Sequence, residues 1–162
     1  HSDANVRTAL VVALAQGAGA AGMVGGQMID LSTAGSLDVD ALTHLQNLKT
    51  GQLNAYSAAA GAILAGDATA QKSLFAYGLD LGLAFQITDD ILDVEGSSGD
   101  LGKTPGKDAA SGKATFVSRL GVGGAKTLAN QTIERALGHL ATFGTAANVL
   151  WQAAQFVLSR KS

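Results

Sequence analysis

Apolar residues along this chain recur three and four positions apart, a helical spacing, and nowhere alternate long enough for a β-sheet. Val6, Leu10, Val11, Leu14 and Ala18 form the first stripe and predict one or two helices over 5–31, kinked at Gly25-Gly26. Residues 32–36 break the pattern. A further helix is expected over 38–64, where Asp38 and Asp40 give an acidic first turn that suits the positive end of a helix dipole. Its stretch 55–65 is nearly all small residues, which predicts close packing against another helix. Gly66 ends it, and Asp67 caps the next. That next helix, 68–94, is long and turns Leu74, Leu81, Phe85 and Leu92 inward. Residues 95–112 read as a loop, with six Gly or Pro in 18 positions. A short helical start at 115–120 and two amphipathic helices at 125–140 and 145–158 complete an all-α chain.

Composition sharpens this picture. The 162 residues amount to one domain, and Ala and Gly supply 51 of them while Pro occurs once, at Pro105. That excludes Pro-rich disorder, collagen and a turn-dense β-sandwich, and fits helices packed through small residues. Net charge is −2 and no basic run exceeds two residues, so no nucleic-acid partner is expected. Without Cys there is no disulfide scaffold, Cys-zinc site or thiol catalysis; the compartment is unconstrained by redox, and cytoplasm is the default. His1, His44 and His139 are scattered. Residues 8–29 carry no charge and include Gly22-x-x-x-Gly26, a spacing known from membrane helices. Gln16, Gln27, five Gly and the lack of any aromatic residue argue against a transmembrane span and for a thin helix face packed on a neighbour. No signal-peptide pattern is present, and a start at His1-Ser2-Asp3 without Met suggests a piece of something longer.

The chemistry concentrates in Phe85-Gln86-Ile87-Thr88-Asp89-Asp90-Ile91-Leu92-Asp93. Asp89 and Asp93, at i and i+4, share a helix face that Gln86 joins, with Asp90 about 100° around. Three carboxylates in five residues destabilise a bare helix and call for compensation. All-oxygen ligands suit Mg²⁺, which also takes oxygens from substrate phosphates. Just beyond, Lys103, Lys107 and Lys113 lie in a Gly-rich stretch and suit a polyanion bridging metal and lysine. Lys49-Thr50-Gly51 falls mid-helix, where a lysine can snorkel to the surface. Gln27 and Asp30, at i and i+3, read equally well as a polar helix cap.

Taken in order, Gly-Gln27-Met-Ile-Asp30, His44-Leu-x-x-x-Lys49-Thr50-Gly51, Phe85-Gln86-Ile-x-Asp89-Asp90-Ile-Leu-Asp93 and Gly102-Lys103-Thr-x-Gly-Lys-Asp108 through Gly112-Lys113-Ala-Thr115 resemble the all-trans polyprenyl diphosphate synthases, a family that includes farnesyl and geranylgeranyl diphosphate synthases. The resemblance runs from about Ala9 to Leu120. It implies an isoprenoid-synthase-type helical bundle and a Mg²⁺-dependent, 1′-4 head-to-tail condensation of isopentenyl diphosphate with an allylic diphosphate. It also implies that Asp89, Asp90 and Asp93 bind metal, that Lys49, Lys103 and Lys113 bind diphosphate, and that Lys49, Thr50, Gln86 and Lys103 serve catalysis. Family homodimers pack helices from the region of Gly22 and Gly26. The family has two aspartate-rich motifs and about twice this length. Asp89-Asp90-x-x-Asp93 looks like the second motif and no other Asp-Asp pair exists here, so residues 1–162 look like the C-terminal part of one all-α domain whose N-terminal half is missing. The fragment alone is then expected to be inactive. The alternatives are a catalytically silent subunit of a hetero-oligomeric synthase and a head-to-head condensing or terpene cyclase relative; the Lys-Thr-Gly and Gly-Lys-Thr-x-Gly-Lys-Asp blocks argue against the latter.

Overall fold

A computed structural model describes residues 1–33, 37–96 and 113–160. Among these residues the chain forms α-helices and single π and 3₁₀ segments, with no strand. Helix α1 spans Ala4–Ala18, α2 Met23–Ser32, α3 Val39–Gln46, α4 Gln52–Ala65, α5 Ala68–Glu95, α6 Phe116–His139 and α7 Asn148–Ser159. The expected helix over 38–64 is interrupted by one π-helical turn, Asn47–Gly51, between α3 and α4.

The ends follow from local chemistry. The Asp3, Asp38 and Asp67 side chains each accept a backbone N–H in the first turn of α1, α3 and α5. Gly66 closes α4 in the left-handed region at φ 68°. Thr115 and Ser118 form a reciprocal capping box at the start of α6. The expected helical start at 115–120 and the helix at 125–140 are two helical segments of α6 that meet at Gly121, whose φ of 68° and ψ of 168° lie outside the helical region.

Between α1 and α2 the break falls at 19–22 and not at Gly25-Gly26: Gly22, at φ −135° and ψ −127°, is non-helical. As one stretch, Ala4–Ser32 is long and apolar enough to cross a membrane. The break divides it into helices of 15 and 10 residues, each short of the roughly 20 a span needs.

Helix α5 is the axis of the fold. On one side it meets α4, where Gly78 lies so close that a Cβ there would sit 2.5 Å from the Ala55 Cα. Ala55, Ala59 and Ala62 on α4 are buried, so the small-residue run makes the close contact expected of it. On the other side α5 meets α6 and α7 through Tyr77, Ala84, Ile87, Ile91, Ile133 and Ala136. Asp80 accepts three bonds from Arg135 and faces His139, joining α5 to α6. The Tyr77 ring is 1% exposed and its hydroxyl donates to the Leu150 carbonyl at 2.7 Å, tying α5 to α7. Burial pushes that phenol up to about 12, so it stays a donor at any physiological pH. Replacing it by Phe keeps the packing and loses one hydrogen bond. Tyr77→Phe is expected to cost about 1 kcal/mol in a denaturant melt.

Some inward assignments differ. Phe85, 39% exposed, lies outside the core. In α1 only Gly17 is buried, and Val11 and Leu14 point to solvent, because α1 touches the bundle along one thin edge at α4.

Candidate active site

The carboxylates at the C-terminal end of α5 are compensated by protein groups. The Gln86 amide donates to Asp89 at 3.4 Å, as their spacing predicts. Asp89 Oδ1 accepts from the Arg160 guanidinium at 2.6 Å. Arg160, just past α7, is 8% exposed in its side chain, lies 3.7 Å over the Phe85 ring and donates to the Phe85 carbonyl. This explains why Phe85 can sit outside the core: it is a platform for Arg160. Asp90 Oδ2 accepts the backbone N–H of Phe116 at 2.7 Å, at the positive end of the α6 dipole. Asp89 and Asp90 therefore turn to different partners. Among the described residues no three His, Asp or Glu groups converge as metal ligands.

A second cluster forms around Asp30, near the end of α2. Its Oδ2 accepts from Lys49 Nζ at 2.8 Å and from Lys113 Nζ at 3.0 Å. Lys49 and Thr50 sit in the π turn, a feature that recurs at functional sites. Gly26, one turn before Asp30, makes room for this turn: a Cβ there would lie 2.3 Å from the Lys49 backbone N. Partial burial pushes the Asp30 carboxyl up, but hydrogen bonds and charge from both lysines outweigh it and hold the pKa below the ordinary 3.8. A lowered folded-state value means the cluster stabilises fully above that ordinary value, and the contribution is lost as pH falls through the lowered one.

At the end of α5 lies a cavity of about 220 Å³, lined by Asp90, Asp93, Lys113, Thr115 and Ser118 among others. Lys113 thus reaches both the aspartate helix and the Asp30 cluster. Lys103, with Lys107 and Asp108, lies outside the described residues. In the sequence Asp30 belongs to one of the four motifs and reads equally well as a polar helix cap, and it is the sole charge between Arg7 and Asp38. Arg160 went unremarked, and nothing local marks it: its partner is 71 positions away.

The sequence profile of the polyprenyl synthetase family matches residues 6–148, beyond the expected limit at Leu120. The chain belongs to the polyprenyl synthetase family. Within the family it is 42% identical over 138 residues to a farnesyl diphosphate synthase of Geobacillus stearothermophilus, covering 84% of this chain and 46% of that protein. A crystal structure of a farnesyl/geranylfarnesyl diphosphate synthase from Zymomonas mobilis superposes with a TM-score of 0.83 at 39% identity, over 97% of this chain and 52% of that one. A Helicobacter pylori geranyltransferase, crystallised with magnesium and isoprenyl diphosphate, superposes at 0.77 and 31% identity, over 97% and 52%. The chain therefore spans about half the length of the family members it matches. In chemistry its donors suit the ion in that last structure: Asp89, Asp90 and Asp93 offer hard carboxylate oxygens and none is fully buried.

Proposed function

We propose that this chain is the C-terminal half of a trans-polyprenyl diphosphate synthase, joining isopentenyl diphosphate to an allylic diphosphate by a 1′-4 head-to-tail condensation. The observation that carries this reading is that the α5 carboxylates Asp90 and Asp93 line one cavity together with Lys113, which is itself coupled to Lys49 through Asp30. Carboxylates and a lysine brought to one cavity suit a diphosphate bridged to a divalent cation.

In the reaction the allylic C–O bond breaks and its electron pair leaves on the diphosphate. The double bond of isopentenyl diphosphate supplies the pair for the new C–C bond, and a proton is then lost. Negative charge grows on the departing diphosphate, so ammonium groups fixed beside it lower the barrier. Lys49 and Lys113 take that role here, with Lys103 beside them by resemblance. The Thr50 hydroxyl and the Gln86 amide bond around the diphosphate and the reacting carbon. Asp89, Asp90 and Asp93 would hold Mg²⁺, which when bound neutralises diphosphate charge as a Lewis acid. No protein nucleophile is needed, in keeping with a chain without Cys.

The proposal includes a cytoplasmic homodimer. The apolar side chains of Val11, Val12 and Leu14 on α1, and of Met28 and Leu31 on α2, are exposed and available for it. Gly22 and Gly26 are not that face: Gly22 abuts the Gly17 carbonyl and Gly26 the Lys49 backbone. With one aspartate motif, this half alone is inactive. Calorimetry on the full-length gene product tests the reading. An unreactive thio-analogue of an allylic diphosphate should bind only with Mg²⁺ present, and Lys49→Ala should weaken it at least tenfold. Metal-independent binding, or none, would count against the proposal.

A further inference from the structure

Asp30 is an anion set against the two lysines proposed to receive the diphosphate, and like charge keeps it from binding that ligand itself. Its side chain is 15% exposed, and a single oxygen accepts both ammonium groups. The two nitrogens therefore lie no farther apart than the sum of these two distances, about 6 Å. Lys49 and Lys113, 64 positions apart in sequence, are 32% and 46% exposed, and each would otherwise extend its stem into water. Two like charges at that separation repel, and the carboxylate between them offsets the repulsion. Helix α2 also fixes the backbone under Lys49, because Gly26 lets the π turn settle directly onto it. One helix face thus seats Lys49 at its backbone through Gly26 and at its ammonium through Asp30, and docks Lys113 at the same point.

We infer that Asp30 is a positioning residue: it presents Lys49 and Lys113 as a pre-formed ammonium pair to a diphosphate, without touching the ligand. The inference rests on the diphosphate site proposed above and adds how that site is ordered before ligand arrives. Holding the pair in place removes part of the entropy that binding would otherwise cost. A purely competing anion would act oppositely, since its removal would free both lysines and tighten binding.

The test is inorganic diphosphate with Mg²⁺, titrated calorimetrically into the full-length gene product, so no turnover is needed. Asp30→Asn keeps the side-chain shape and removes the charge. It is expected to weaken diphosphate binding about tenfold, with the melting temperature read in parallel. In a Lys49→Met/Lys113→Met background the same Asn substitution should have no further effect on affinity, because Asp30 acts only through those lysines. Unchanged or tighter binding in Asp30→Asn, or a further loss in the lysine-free background, overturns the inference and leaves the site itself standing. If Asp30→Asn does not fold, Asp30→Glu carries the test: moving the charge by one methylene should weaken binding at least fivefold, and a change under twofold overturns the inference. Wild-type protein that binds no diphosphate overturns the site and the inference together.

Discussion

Asp89→Asn in the full-length gene product is expected to lower turnover by roughly a hundred- to a thousandfold with little change in melting temperature. The magnitude is that of removing one group that stabilises transition-state charge. The choice of Asn follows from the structure. Asp89 has a second partner, Arg160 at 2.6 Å, which anchors the end of α7 to α5. Asn keeps an oxygen that can accept from Arg160 while losing the charge a metal would need. Asp89→Ala removes both, so it should match the Asn variant in turnover but also melt several degrees lower. Steady-state kinetics and thermal melts of the two variants separate the roles. Wild-type turnover in Asp89→Asn would leave Asp89 as a structural partner of Arg160 and remove it from the metal site.

The second large effect is on stability. A Cβ at Gly78 would meet three backbone atoms of α4 between 2.5 and 2.7 Å away: the Ala55 Cα, the Asn54 carbonyl oxygen and the Ala55 nitrogen. Backbone of a packed helix cannot rotate aside as a side chain can, so α4 and α5 must separate along their shared core. Gly78→Ala is expected to cost about 3 kcal/mol or more, at the upper end for overpacking. Gly61 is the internal control, being a helical glycine of α4 whose Cβ would meet nothing within 4 Å. Gly61→Ala should stabilise by about 0.5–1 kcal/mol through helix propensity. Denaturant melts of both variants check this: equal and small effects would mean that α4 and α5 do not pack as described.

Much of this was readable in the sequence where the cause is local. Asp67 and Gly66 marked a helix junction because capping and left-handed closure depend on a few neighbouring residues, and the structure places both there. The small-residue run 55–65 announced a close contact because short side chains let a neighbouring helix approach its backbone. The Asp89 and Gln86 pairing followed from spacing. What failed was set by tertiary geometry. The kink fell at Gly22 because Gly26 is needed elsewhere, against the Lys49 backbone. Phe85 looked like core by periodicity, yet its ring supports Arg160, a contact between residues 75 positions apart. The π turn at Lys49 leaves no mark in composition, and the packing of Gly26 of α2 against it joins residues far apart in sequence.

The most direct test of the proposed function is a condensation assay on the full-length gene product, with labelled isopentenyl diphosphate, allylic partners of several lengths and Mg²⁺. A discrete prenyl diphosphate, sized by chromatography and abolished by chelator, is the predicted result. A folded protein that yields no condensation product with any allylic partner would contradict it.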